Sequence, residues 1–412
     1  MPNKVAQFVR LLRSTGRERR LGTVIFFVTS RCNAKCETCF YHEELNRPGD
    51  LTFGQIERVS RTMPAVTDLW LSGGEPTLRP DVDDIIRLFV ENNGVRRCII
   101  PTNGLLKSRT YAMADNALSL HPELHLYLNV ALDGYGETHD RVRGVPGNWG
   151  RTLDCIRALY PLKEKYGERF RLNVNTVVCA ENYAEVGRLA DFMWENFRLD
   201  GHYFNVVRGE TKAGEGIKRI PAEALPEMYA RVAALTERYG ARMFAGDDAA
   251  TRFVKSVAYV GAITTHYRTQ HANFAGASEW PFPCTAGETT AVIDYNGDVR
   301  ACELRGKFAS LPDFDYDFGK LWESGGRRQT AKRSARTLRR SGVMVVPFYP
   351  STRVIRERKR LTMRRTNSVD TAPRPRVRPH HSPRGPRPDG TARYQPPGRP
   401  RAQNPRRATA AG

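Results

Sequence analysis

Apolar and polar positions along this chain follow two rhythms. Short apolar runs at 24–28, 66–71, 97–101, 124–132, 171–178 and 202–207 read as strands. The first, Val24-Ile25-Phe26-Phe27-Val28, is apolar throughout and so predicted to be buried on both faces. Between the strands, helical periods run over 52–63, 80–93, 107–120, 149–166 and 183–196, and Thr52 before Gln55 fits a capping-box start. Alternating strand and helix predict an α/β fold with a parallel sheet and crossover helices. A further helix is expected over 221–239, outside that count. The stretch 241–283 is aromatic, shows no clear period and reads as a linker. Farther on, 289–294 and 298–301 flank Tyr295-Asn296-Gly297, a hairpin signal, and 316–323 reads as a short helix. The start, 1–20, is basic and helical in pattern, without the apolar core of a signal peptide.

The 412 residues suffice for two domains. No apolar run reaches the roughly 18 residues of a membrane span. Eight cysteines form no dense secreted framework, which points to a reducing cytoplasm. The net charge of +21 is unevenly placed: 24 of the 65 Lys/Arg but only 3 of the 44 Asp/Glu fall in 327–412. The first 326 residues are therefore neutral, and nothing in them argues for nucleic acid or membrane binding. From Gly325-Gly326-Arg327 onward Arg and Pro dominate, a composition expected to be disordered. This tail is either a basic arm for RNA or acidic lipid, or the product of a frameshift. Against the first, it holds only Phe348, Tyr349 and Tyr394 for stacking on bases. For the second, codons for Gly342-Val343-Met344-Val345-Val346-Pro347 read two bases on give triplets that can encode a Cys-x-x-Cys.

Chemistry concentrates after the first two strands. Cys32, Cys36 and Cys39 lie in the loop leaving the first, and thiolates bind iron or zinc strongly. Three ligands are one short of a closed tetrahedral site; the set is open, or zinc borrows His42, or the thiols are simply buried. Leu69-Trp70-Leu71-Ser72-Gly73-Gly74-Glu75-Pro76 ends the second strand. Paired glycines allow close backbone approach to a ligand, and Glu75 can accept from a cationic amine.

Cysteines at this spacing, with Gly-Gly-Glu-Pro after the second strand, resemble the radical S-adenosylmethionine (radical SAM) enzymes. The resemblance implies a partial (β/α)6 TIM-like barrel with ligands at the carboxyl ends of the strands. It implies that Cys32, Cys36 and Cys39 hold three irons of a [4Fe-4S] cluster, with S-adenosylmethionine on the fourth. Reductive cleavage then gives a 5′-deoxyadenosyl radical that takes a hydrogen atom from substrate. It further implies cofactor contacts from Gly73, Gly74, Glu75, Pro76 and Asn103, and from Arg143, whose guanidinium suits a carboxylate. Two positions depart from the family pattern. Ala131 stands where many relatives have serine, and Thr38 where many have an aromatic; Tyr41 or Phe40 either takes over the stacking or is core. Asp133 either orders its loop or caps a turn, and Val178 either meets the adenine or is ordinary core. Cys98, Cys155 and Cys179 are expected as buried packing residues.

Cys284, Gly297 and Cys302 resemble the opening of the SPASM/twitch extension, which holds auxiliary iron–sulfur clusters and often accompanies peptide modification. The cysteine-rich run that completes such sites in relatives does not follow the helix at 316–323, so the extension reads as incomplete. Glu303, directly after Cys302, is expected either as a proton acceptor near substrate or as a surface partner of Arg300 or Arg305. The divisions expected are a helix at 1–20, the partial barrel at 21–220, helix and linker at 221–283, the extension at 284–326 and the tail at 327–412. The expected partners are a peptide, protein or small-molecule substrate and an electron donor such as a flavodoxin or ferredoxin. A nucleic-acid-binding role would rest on the tail alone.

Overall fold

The computed structural model describes residues 20–274, 276 and 284–324. The helix expected over 1–20, all but its last position, and the tail over 327–412 lie outside them. Six strands, β1 (Thr23–Thr29), β2 (Asp68–Gly73), β3 (Arg97–Thr102), β4 (His125–Ala131), β5 (Phe170–Val178) and β6 (Gly201–Val206), pair in parallel in chain order. Three more, β7 (Thr290–Ile293), β8 (Asp298–Arg300) and β9 (Lys307–Ser310), continue the sheet beyond β1. The expected hairpin is present and extends the same sheet: β7 pairs with β1 in parallel, Thr23 opposite Thr290 and Phe26 opposite Ile293. The sheet is open, running from β6 at one edge to β9 at the other.

The two faces of the sheet differ in chemistry. Val24, Phe26, Val28, Leu69, Leu71, Leu126, Leu128, Val130, Leu172 and Val174 enter the main core. There they meet helices α1 (Phe53–Thr62), α2 (Val82–Asn93), α3 (Lys107–Leu120), α5 (Asn148–Ala158), α6 (Tyr160–Tyr166) and α7 (Val186–Asn196), while α4 (Glu137–Arg143) packs apart, its Val142 with Cys179, Val207 and Ile217. The intervening residues face the other way. Ile25 and Phe27 do so on β1, where they form a second small core with Tyr41, Val292 and Tyr295. The capping box at Thr52 is formed as the sequence indicates. The single helix expected over 149–166 is two. Pro161 has no N–H for the carbonyl four residues back, and the chain breaks at Leu159.

The region 221–283, expected as a helix and a linker, carries α8 (Leu225–Met243) and then a second, longer helix, α9 (Ala249–Phe274). Its buried positions include Gly261, Ile263, Tyr267 and Thr269, too few apolar groups to give a stripe in the sequence. It seals the edge of β6: Phe204 N donates to Tyr267 Oη at 3.3 Å and Val206 N to Gln270 Oε1 at 2.8 Å. These strand donors, which no further strand pairs, are thereby satisfied. The last described helix is α10 (Phe318–Glu323).

Candidate active site at the strand carboxyl ends

The loop leaving β1 is held from several sides. Asp50 accepts from Thr29 Oγ1 (2.5 Å) and Ser30 N (2.9 Å), and Asn46 Oδ1 accepts from Cys32 N (3.0 Å). Across from it, Gly74 N donates to Thr29 O at 2.8 Å and Glu75 N to Arg31 O at 2.7 Å. This contact explains the paired glycines. A Cβ on Gly73, whose φ is +121°, would lie 2.3 Å from Thr29 O, and one on Gly74 would lie 2.1 Å from Arg31 O. Their immediate role is thus to let the β2 exit press backbone to backbone against the cysteine loop.

Glu75 is buried and accepts four hydrogen bonds. Its Oε1 takes Thr77 N (3.2 Å), Thr77 Oγ1 (2.6 Å) and Thr102 Oγ1 (2.8 Å), and its Oε2 takes Asn103 N (2.7 Å). Burial raises its pKa, and these bonds oppose the rise. A carboxylate has about four lone-pair positions, two on each oxygen, so Oε2 retains acceptor capacity for a cationic group. Asn103 joins β3 to the cysteine loop through Nδ2 to Asn33 Oδ1 at 2.7 Å. Pro76 is buried at the first position of a short turn of helix.

Arg143 arrives at the end of α4, which docks on the same loop: Lys35 N donates to Arg143 O and Glu37 N to Val142 O. Its Nη1 donates to Asp133 Oδ2 at 3.0 Å, while its buried Nε has no partner among the described residues. Burial alone would lower its pKa, but the negative charges of a Cys36 thiolate and the Asp133 carboxylate hold it raised. Asp133 is buried and also takes Val177 N at 2.7 Å, so it is a bridge between the β4 and β5 exits and not a surface turn cap. Val178 is fully buried in the main core.

Burial pushes the Cys32 and Cys39 thiols up to about 11 and raises Cys36 as well, with the Arg143 guanidinium opposing the rise at all three. The thiols interact electrostatically through Cys36. Among the described residues no three His, Cys, Asp or Glu gather closely enough to hold one metal ion. In a [4Fe-4S] cluster each thiolate meets its own iron. Three thiols on one loop, with an orphaned guanidinium nitrogen beside them, fit a cluster and an anionic cofactor group. His42 Nδ1 is engaged with Cys39 O at 3.1 Å.

Tyr41 is buried against Phe27, ring centroids 4.5 Å apart, and donates to Asp294 Oδ1 at 3.1 Å. It therefore ties the cysteine loop to the β7–β8 hairpin, where Arg300 also binds Asp294. Burial raises the thiols of both Cys302 and Cys284. Glu303 is not an exposed partner of Arg305. Its carboxylate accepts from Arg208 Nη2 at 2.8 Å and its carbonyl from Arg300 Nη1 at 3.0 Å. Arg208 follows β6 and lies over Phe40. A few residues on, Lys212 N donates to Cys39 O and Ala213 N to Glu37 O, so the β6 exit loop also closes on the cysteine loop. Arg208 and Lys212, just beyond one predicted strand, and Asp294, the last residue of another, were not singled out from sequence.

Residues 26–193 match the family model described as Radical SAM superfamily. Pre-heme d1 synthase of Dinoroseobacter shibae is 33% identical over 158 residues, covering 36% of each chain. GTP 3′,8-cyclase of Rhodopirellula baltica is 33% identical over 147 residues, 34% of this chain and 39% of that one. Both relatives are named as enzymes, and this chain spans well under two thirds of the length of either. The solved structure of native anSMEcpe with bound AdoMet and Cp18Cys peptide aligns with a TM-score of 0.52 at 14% identity, covering 84% of this chain and 97% of that one, a likeness of fold. The family implies a [4Fe-4S] cluster and S-adenosylmethionine.

Proposed function

Residues 26–193 form a radical SAM domain, and from that premise we propose that this chain cleaves S-adenosylmethionine reductively and modifies a peptide or protein side chain. The observation that carries the first half is the joint placement of Cys32, Cys36 and Cys39 with Arg143 and Glu75 at the strand carboxyl ends. The three thiols would hold the cluster, Arg143 Nε would meet the cofactor carboxylate, and Glu75 Oε2 its amine. Asn103, Gly73, Gly74 and Pro76 would shape that pocket, and Tyr41 would brace the cysteine loop against the β7–β8 hairpin. With cluster and cofactor bound, the site supplies a 5′-deoxyadenosyl radical for hydrogen abstraction, fed by a one-electron donor such as a flavodoxin or ferredoxin. Cys284 and Cys302 would contribute to an auxiliary cluster, and Glu303, oriented by Arg208, would accept a substrate proton. A small-metabolite substrate is the second reading, favoured by relatives named for haem and GTP chemistry.

Anaerobic reconstitution tests the first half. The wild type is expected to take up about four irons and four sulfides at this site and to form 5′-deoxyadenosine. Replacing Cys32, Cys36 and Cys39 by alanine together should abolish both; uptake of stoichiometric zinc without iron would overturn the assignment. For the second half, once a substrate is in hand, Glu303→Gln should leave hydrogen abstraction intact while oxidised product falls by about a hundredfold. Unchanged product formation would remove Glu303 from the reaction.

A further inference from the structure

The sheet face turned away from the helices is apolar on β1, where it carries Ile25 and Phe27. On β4, β5 and β6 the same face carries Asn129, Asn173, Asn175 and Asn205. The register fixes this: Trp70 stands opposite Ile25 and Ile99, Tyr127 opposite Ile99 and Arg171, and Asn129 opposite Pro101 and Asn173. Likewise Asn175 is opposite Tyr203 and Val177 opposite Asn205. The four amides are linked in pairs. Asn173 Nδ2 donates to Asn129 Oδ1 at 3.0 Å and Asn205 Nδ2 to Asn175 Oδ1 at 2.7 Å. Asn205 Oδ1 accepts from Gln270 Nε2 of α9 and faces His266 Nε2, each at 3.3 Å.

Asparagine is disfavoured in strands, and paired aliphatic residues would fill the same places at less cost. A row of four on one sheet face is therefore unusual. The cations near it are committed to carboxylates: Arg97 to Asp68, Arg171 to Asp200, Arg208 to Glu303 and Arg300 to Asp294. A polyphosphate or a polycarboxylate would need uncommitted guanidinium or ammonium groups. An amide array offers donors and acceptors together without net charge, which matches carboxamides and peptide units. We propose that Asn129, Asn173, Asn175 and Asn205, braced by Gln270, form the recognition surface for an uncharged amide-bearing group of the substrate. The inference rests on the radical SAM reading above for its chemistry and adds the class of group that the chemistry is applied to.

The test is saturation-transfer NMR on the anaerobically reconstituted full chain, with an acetyl- and amide-capped Ser-Asn-Gly tripeptide as one probe and GTP as the other. The tripeptide is expected to take saturation from the wild type and GTP to take none. Asn129→Ala and the near-isosteric Asn175→Asp should each weaken the tripeptide signal about five- to tenfold, the worth of one hydrogen bond. S-adenosylmethionine affinity by calorimetry should stay unchanged, and circular dichroism reports that the variants fold. A tripeptide signal equal in wild type and variants would overturn the proposal, as would GTP binding that the variants abolish. A loss of S-adenosylmethionine affinity in the variants would assign the row to the cofactor and overturn it too. Absence of cluster and of 5′-deoxyadenosine in the wild type would instead sink the radical SAM reading and leave the tripeptide signal standing.

Discussion

At the scale of single residues, His202 shows how burial becomes a dependence on pH. Its Nε2 lies 2.8 Å from Thr176 Oγ1, which itself donates to Leu132 O, so the ring is the donor. Its Nδ1 is buried without a partner among the described residues. Burial lowers its pKa from the usual 6.5 to about 3. The folded chain therefore refuses a proton that the unfolded chain accepts below about 6.5. The stability contribution of neutral His202 is complete above that pH and declines as pH falls toward 3, by up to about 1.4 kcal/mol per pH unit. His139 is depressed in the same way, also chiefly by burial. The urea midpoint is expected to fall between pH 7 and pH 5, and His202→Phe, which preserves the stack on Phe204, should fall less. Identical slopes in the two proteins would show that His202 titrates normally. None of this was legible in the sequence, since His202 lies in a predicted strand like any other polar residue. Arg143 was legible by offset and residue type, whereas its bond to Asp133 was visible only in three dimensions.

At the scale of elements, the contact between the β2 exit and the cysteine loop is the most exacting. Gly74→Ala puts a methyl group against Arg31 O, backbone that cannot swing aside as a side chain would. The loop must shift, and iron uptake should drop severalfold in the variant while its far-UV circular dichroism stays close to wild type. Full iron uptake at an unchanged melting temperature would show that the loop yields without consequence. Strands were readable because their apolar runs answer to burial on the core. Helix α9 was not, because what it buries includes Gly261 and Thr269 and what it offers the edge of β6 is hydrogen bonding by Tyr267 and Gln270. The Arg208–Glu303 pair joins residues 95 positions apart, and no local pattern announces such a partner. The glycine pair was read as room for a ligand. The structure assigns it first to a crossing of two loops, a distinction that needs the neighbouring chain.

At the scale of the whole molecule, charge and fold are separable. All of the +21 lies in 327–412, while the radical SAM match ends at residue 193. A chain ending at residue 326 is therefore expected to keep its iron–sulfur absorption and to lose most of its retention on a cation-exchange column at low salt, where screening is weakest. Loss of the cluster in a folded truncation would show that the tail supports the site. Among the described residues no helix is long and apolar enough to cross a membrane.

The seat of β1 between β2 and β7 also has a consequence for biosynthesis. The strand's apolar residues leave the ribosome first, and β2 follows within about fifty residues. Its other neighbour pairs Thr23 with Thr290. At about 5–20 residues per second, that partner arrives on the order of 10–50 s later. Throughout that interval the row Val24-Ile25-Phe26-Phe27-Val28 has one side open to any passing strand, the condition under which nascent chains associate with one another. The strand that carries the cysteine loop is thus the one most in need of a chaperone while the chain is being made.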